Sequence, residues 1–311
     1  GWGAPEGSAP DSSSAYVPLA GLLLGPDDGR MPVDPALIAH LYRRATFGPA
    51  PGQVAALAAA SRDFQTAVAM ILGATPSPLP AAPSLELRTT APIAWWLTRM
   101  ADPQSGLAEK LTWFWHGHLT SSRAKVNDWS LLWKQHLLLR QHALGNFRTL
   151  MQEISVDPAM LWYLDGNGST AAAPNENYGR ELMELFTLGR GNYSEADVQA
   201  AAYALSGWRL DKASGTARFY PARGPAKAVT LLGRSVRSTP EVVDAVLAQP
   251  ACAPWIAGKL YAYLAGVPPT DEARERLAGV FRAGGLEIRP LVTAILADPT
   301  FPTQQIGRAH V

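Results

Sequence analysis

Cysteine is nearly missing from this chain. Cys252 stands alone among 311 residues, so neither an intrachain disulfide nor a cysteine-based zinc cage can form. A surplus of charge is missing too, because 27 basic and 26 acidic residues leave a formal charge of +1. Phosphate tracking needs an excess of Lys and Arg, so no nucleic-acid partner is expected. Long apolar runs are also missing. The stretch Val17 to Leu24 falls far short of the roughly 20 residues that cross a bilayer, so no transmembrane segment is expected. Known reaction signatures are missing as well: there is no Walker loop, G-x-S-x-G elbow, H-E-x-x-H or C-x-x-C-H.

What is present is apolar and finely punctuated. Apolar types make up 47% and charged types only 17%, which is a globular composition and excludes a wholly disordered or coiled-coil chain. Helical spacing of apolar residues recurs between Gly and Pro breaks. It predicts helices over 35–45, 51–59, 64–72, 92–101, 107–116, 127–142, 147–156, 158–163, 176–188 and 195–206, then over 240–247, 253–264, 272–282 and 288–297. Asp157-Pro158 is an N-cap followed by proline at the first helical position, and Ser194 to Asp197 is a capping-box start weakened by Asp in place of Glu. Residues 74–83, rich in Pro and Ser, read as a loop. From Ala217 to Leu232 the pattern alternates as a strand does, around a Pro221–Pro225 turn. The expected fold is all-α: a multi-helix globular bundle with one small peripheral β-hairpin.

One predicted helix holds the most unusual carboxylate. With successive residues about 100° apart and Glu176 set at zero, Arg180, Glu184 and Asn177 share one polar arc. Leu185, Tyr178, Leu182 and Phe186 form the apolar arc, and Glu181 lands at its margin, at about 140°. A carboxylate there is costly unless it is paired, protonated or bound to a cation. Glu181 is therefore either held in a buried ion pair or a capping hydrogen bond to a neighbouring helix, or it is a ligand or base. Glu176 and Glu184 read first as surface partners of Arg180 at i,i+4.

His116 and His118 flank Gly117 at the end of an aromatic-rich helix. Residues two apart on a helix point nearly opposite ways, so the pair can share a metal only if the backbone leaves the helix at Gly117. Facing carboxylates, such a pair would suit zinc, iron or manganese. Otherwise His116 complements the helix C-terminus and His118 hydrogen-bonds a loop. His40, His136 and His142 lie beside basic neighbours and read as structural. The ten tryptophans, Trp95, Trp96, Trp113, Trp115 and Trp133 among them, are either core anchors or a sugar-stacking surface.

Several of these segments together carry a family likeness. The runs Trp113-Phe-Trp-His-Gly-His118, Pro174 to Gly189, Tyr193 to Val198 and Ser206-Gly-Trp208 resemble the bacterial domain of unknown function 1800 family, and so do His40 to Gly48 and His142 to Phe147. The likeness runs from about residue 35 to 305. It implies a mainly helical fold, export or a place in the cell envelope, and no established activity. Many relatives carry a His-Asp pair just before the segment that is Leu231-Leu-Gly233 here, whereas this chain reads Ala222-Arg-Gly-Pro-Ala-Lys-Ala228. A function carried by that His in relatives would be altered or lost in this chain.

The expected organisation is a Pro/Gly/Ser-rich segment over 1–34, a single helical domain over 35–305 that is incomplete at its C-terminus, and a tail over 306–311. That tail, Ile306-Gly-Arg-Ala-His-Val311, matches one reading frame of a common sequencing adapter, so it and His310 are expected to carry no function. Two functions compete. One is a metal-assisted or acid/base enzyme, with Glu181 as ligand or base, His116 and His118 as ligands, and Glu184 or Asn177 in support. The other is a non-catalytic helical module of the envelope or of an assembly. The first requires Glu181 and the two imidazoles to converge.

Overall fold

The computed structural model describes residues 33–86 and 88–301. Nearly all of the 1–34 segment and the whole 306–311 tail lie outside the described residues. Fifteen α-helices lie within the described residues, and the mainly helical expectation holds. Helices α1 (Pro35–Ala45), α2 (Gln53–Ala60) and α3 (Phe64–Gly73) come first. An aromatic-rich group follows: α4 (Ala91–Ala101), α5 (Gly106–His118), α6 (Arg123–Val126) and α7 (Trp129–Gln141). Next come α8 (Phe147–Ile154), α9 (Pro158–Tyr163), α10 (Glu176–Glu181) and α11 (Glu195–Ala204). The last are α12 (Thr239–Leu247), α13 (Cys252–Ala265), α14 (Asp271–Ala283) and α15 (Ile288–Leu296).

Short acceptor side chains start many of these helices, each satisfying backbone N–H groups that the first turn leaves over. Asp63 accepts from the Thr66 amide at 2.7 Å, and Asp157 from the Met160 amide at 2.9 Å. The box at Ser194 is complete despite its shorter acid. Asp197 Oδ2 accepts from the Ser194 amide at 2.9 Å while Ser194 Oγ accepts from the Asp197 amide at 3.2 Å. One large apolar cluster draws on most of the helices from α1 to α15, α4 and α6 excepted, with Trp115, Phe147, Tyr261 and Phe281 among its large buried side chains. Cys252 lies in it, its thiol pushed up to about 12 by burial.

The β excursion differs from the expected single hairpin. Strands β1 (Trp208–Asp211) and β2 (Thr216–Phe219) form one antiparallel pair, and β3 (Val229–Leu231) and β4 (Arg234–Val236) form another. The alternation read over 217–232 is the sum of β2 and β3, which belong to different hairpins. The Pro221–Arg223 turn is the connector between them. The actual turn of the second hairpin is Leu232-Gly233, with φ of 49° and 77°. Two positive values in succession match the right-handed twist of the flanking strands.

The helix read over 176–188 is also not one helix. After Glu181 the backbone widens into a π-helical segment, Leu182–Thr187, closed by the Leu188 amide donating to Met183 O at 2.8 Å. Gly189 ends it at φ +78°, where a Cβ would come within 2.8 Å of the Trp255 ring. Glycine is required there twice over, by conformation and by space.

Candidate functional site

The aromatic-rich helices build a cavity by their spacing. On α4, Ile93, Trp96, Leu97 and Met100 follow at intervals of three and four residues and so share one face. Trp113 and His116 do the same on α5, and Trp129, Trp133 and His136 on α7. The three faces enclose about 320 Å³. That volume lies at the lower end of the range of small-molecule pockets. The mouth is apolar: Ile93 is 49% exposed, Leu97 58% and Trp113 45%. Inside, Trp96 meets His116 edge-on at 4.8 Å and His136 at 4.5 Å, and His136 stacks on Trp133 at 5.3 Å.

Beneath the cavity lies a buried charge cluster. Glu109 on α5 is fully buried and paired with Arg140 of α7 and Arg99 of α4, the latter at 3.4 Å. Arg140 binds it two-pronged, with the second bond at 2.7 Å, and Trp96 Nε1 donates to its Oε1 at 2.6 Å. Arg99 pairs further with Asp102 at 3.0 Å. The two guanidiniums are thus matched by two carboxylates, and the floor carries no net charge. Arg140 also reaches His136 Nε2 at 3.1 Å. A guanidinium only donates, so Nε2 accepts and the imidazole proton sits on Nδ1. Burial, then the Arg140 charge, pushes His136 down to about 3, and burial lowers His116 as well, so both rings are neutral at pH 7.

His118 faces elsewhere. Helix α5 continues unbroken through Gly117, so the geometric condition for a metal shared by His116 and His118 is not met. His118 stacks on Phe114 at 5.6 Å and donates from Nε2 to the Phe186 carbonyl at 2.9 Å. That carbonyl belongs to the π segment, where widened bonding leaves acceptors for side chains to take. Thr187 Oγ1 takes another, Leu182 O, at 2.5 Å. Burial pushes His118 down to about 4.

The polar residues predicted beside Glu181 scatter around it. Glu184 is held by Arg190 Nε at 2.5 Å and the Tyr193 hydroxyl at 2.6 Å, not by Arg180. Arg180 instead pairs with Glu195 at 2.6 Å and, more loosely, with Glu176 at 3.7 Å. Asn177 is exposed on the surface of α10. Glu181 itself is half-buried and, among the described residues, makes no hydrogen bond or ion pair. Its carboxyl is raised by burial and by the Glu184 charge. Among the described residues, no group of three or more His, Cys, Asp or Glu side chains is placed to hold a metal ion. No helix among them is long and apolar enough to cross a membrane.

Sequence reasoning found His116 and several of the tryptophans but not their common cavity. The signal was the three- and four-residue spacing of large side chains, aromatics among them, on α4, α5 and α7. It is readable within each helix, yet silent about which faces meet. Trp115 does serve as a core anchor, with its Nε1 donating to Ala143 O at 3.0 Å. Of the histidines read as structural, His142 meets Glu153 at 3.0 Å, while His136 proves to line the cavity. A second, more open hollow of about 700 Å³ lies between α13 and the prolines that follow it, lined by Trp255, Lys259 and Arg274.

A family model described as "Protein of unknown function (DUF1800)" matches residues 40–311. The match spans most of the chain, so the chain belongs to that family. Neither the curated proteins nor the solved structures contain a significant match.

Proposed function

We propose that this family member recognises a small, neutral, flat ring-bearing molecule in the cavity between α4, α5 and α7. The observation that carries this reading is the combination of four tryptophans and two neutral imidazoles around a space open at one side. Core tryptophans close on one another. Here Trp113 keeps nearly half its surface exposed, and the indole N–H groups of Trp96 and Trp129 are turned away to Glu109 and to the Thr89 carbonyl. Ring faces and edges are left for a ligand, and they favour planar apolar groups. The neutral floor and neutral imidazoles disfavour a strongly charged occupant. His116, whose imidazole has no hydrogen-bond partner among the described residues, is the residue best suited to touch the ligand's polar edge.

Saturation-transfer NMR with a panel of neutral bicyclic ring compounds tests this on the intact chain. We expect binding that weakens at least tenfold in Trp113→Ala, whose exposed side chain can be removed without opening the core. Binding unchanged in that variant would place the ligand elsewhere.

A second reading keeps the acid/base role of Glu181, and with it a metal-assisted chemistry with His116 and His118 as ligands, which would require α5 to open at Gly117. It is favoured by one observation, an unpartnered carboxylate whose protonated form is stabilised by burial. Elemental analysis of purified protein, with Glu181→Gln as control, separates the two. Stoichiometric zinc, iron or manganese that disappears in the variant would favour the second reading.

A further inference from the structure

The polar groups that line the cavity are almost all donors. Gln135 Nε2, itself buried, donates both to Ser121 Oγ at 3.0 Å and to Asp157 Oδ1 at 2.8 Å. Asp157 Oδ1 also accepts from the Met160 amide, which fixes the Gln135 amide with its nitrogen toward both partners. Ser121 Oγ is therefore already an acceptor, and its own O–H has no acceptor among the described residues. His136 Nε2 accepts from Arg140, which leaves its Nδ1–H as a second donor without an acceptor among them. Trp133 Nε1–H is a third, and Arg123 at the rim can only donate. Among the described residues, the side-chain acceptors on the cavity's polar side are His116 and the second lone pair of Ser121 Oγ, fewer than the donors.

We infer that the occupant carries a hydrogen-bond-accepting oxygen on its ring, a carbonyl or an ether, and no net charge. This rests on the cavity being a ligand site, as proposed above. A ligand of that kind satisfies donors that an all-carbon ring leaves unpaired in an apolar surrounding, and unpaired polar groups are what reject a near-isostere. A cationic ligand meets donors and a rim guanidinium. A carboxylate loses its hydration against neutral aromatic walls. Ser121 is the residue most narrowly placed for the task, because Gln135 holds its oxygen and leaves its proton for the cavity.

The test compares 1-indanone, indane and 1-aminoindane, which share one bicyclic frame and differ in a ring carbonyl, nothing, or an ammonium group. Titration calorimetry on the full chain should show 1-indanone binding at least fivefold tighter than indane, with 1-aminoindane weakest. In Ser121→Ala the advantage of 1-indanone should shrink while indane binding stays the same. The infrared carbonyl stretch of bound 1-indanone gives a reading independent of any variant, and it should move to lower frequency than in an apolar solvent. Equal binding of indane and 1-indanone with an unshifted carbonyl would overturn the inference while leaving the cavity reading intact. Tightest binding of 1-aminoindane would overturn it too. Failure of all three to bind would remove the cavity reading beneath it.

Discussion

His116 and His118 stand two residues apart on one helix and end in two different regions of the molecule. The His116 imidazole borders an aromatic cavity and makes no hydrogen bond among the described residues, whereas that of His118 is tied to the carbonyl of Phe186 in a π-helical segment. Both rings are neutral at pH 7 for the same reason, burial. Their difference comes from what lies opposite. The His118 side meets a backbone that has an acceptor to spare, so the imidazole fills a structural need. The His116 side meets the ring of Trp96, whose N–H is already taken by Glu109, so the imidazole is left over. Side chains left over beside a cavity are where recognition is to be sought.

The two regions should respond differently to mutation. The largest expected effect is under the cavity. Glu109→Ala would leave Arg99 and Arg140 buried around an empty space, and breaking a buried pair in this way costs about 3–5 kcal/mol. Urea unfolding that shows a loss below about 1 kcal/mol would mean the cluster is not a buried unit.

Asp157 lies between the regions, bonded to Gln135 on the cavity side and close enough to Tyr178 of α10 for their charges to interact. Burial raises its carboxyl to about 6. A raised carboxyl contributes stability that is full below its unfolded value near 4 and is lost as pH rises through about 6. Asp157→Asn keeps the cap and removes the charge, so relative to the parent it should gain roughly 2–3 kcal/mol between pH 4 and pH 7. A difference that is flat with pH would contradict this. The histidines act with the opposite sign. Their lowered values add stability above about 6.5, lost as pH falls toward about 4 for His118 and about 3 for His136.

The smaller effect separates the two imidazoles directly. His118→Ala would orphan the Phe186 carbonyl and should cost about 1–3 kcal/mol. His116→Ala orphans nothing and should cost less than half as much, while weakening ring-ligand binding. Equal losses of stability in thermal unfolding would erase the distinction.

Much of the helical fold was legible because apolar spacing and caps are local signals. The starts at Pro35, Phe64, Phe147, Pro158, Glu195 and Ile288 coincide with the predicted ones. The hairpins were merged because alternation records strand character without recording which strands pair. The π segment was invisible because its side-chain sequence, Leu-Met-Glu-Leu-Phe-Thr, is equally compatible with an α-helix, and the widening answers to tertiary partners such as His118. That one change undid the angular reading beyond Glu181 and moved Glu184 to Arg190 and Tyr193. The odd position of Glu181 itself was legible, since Glu181 is the acid on that helix that no partner satisfies among the described residues.

Histidine ring-nitrogen NMR with added zinc tests the separation of the two imidazoles most directly. Separate roles predict His118 as a neutral ring protonated at Nε2, unmoved by zinc, and His116 perturbed only by a ring ligand in the cavity. Resonances of His116 and His118 that shift together and saturate at one equivalent of zinc would contradict it, and would return both residues to a single site.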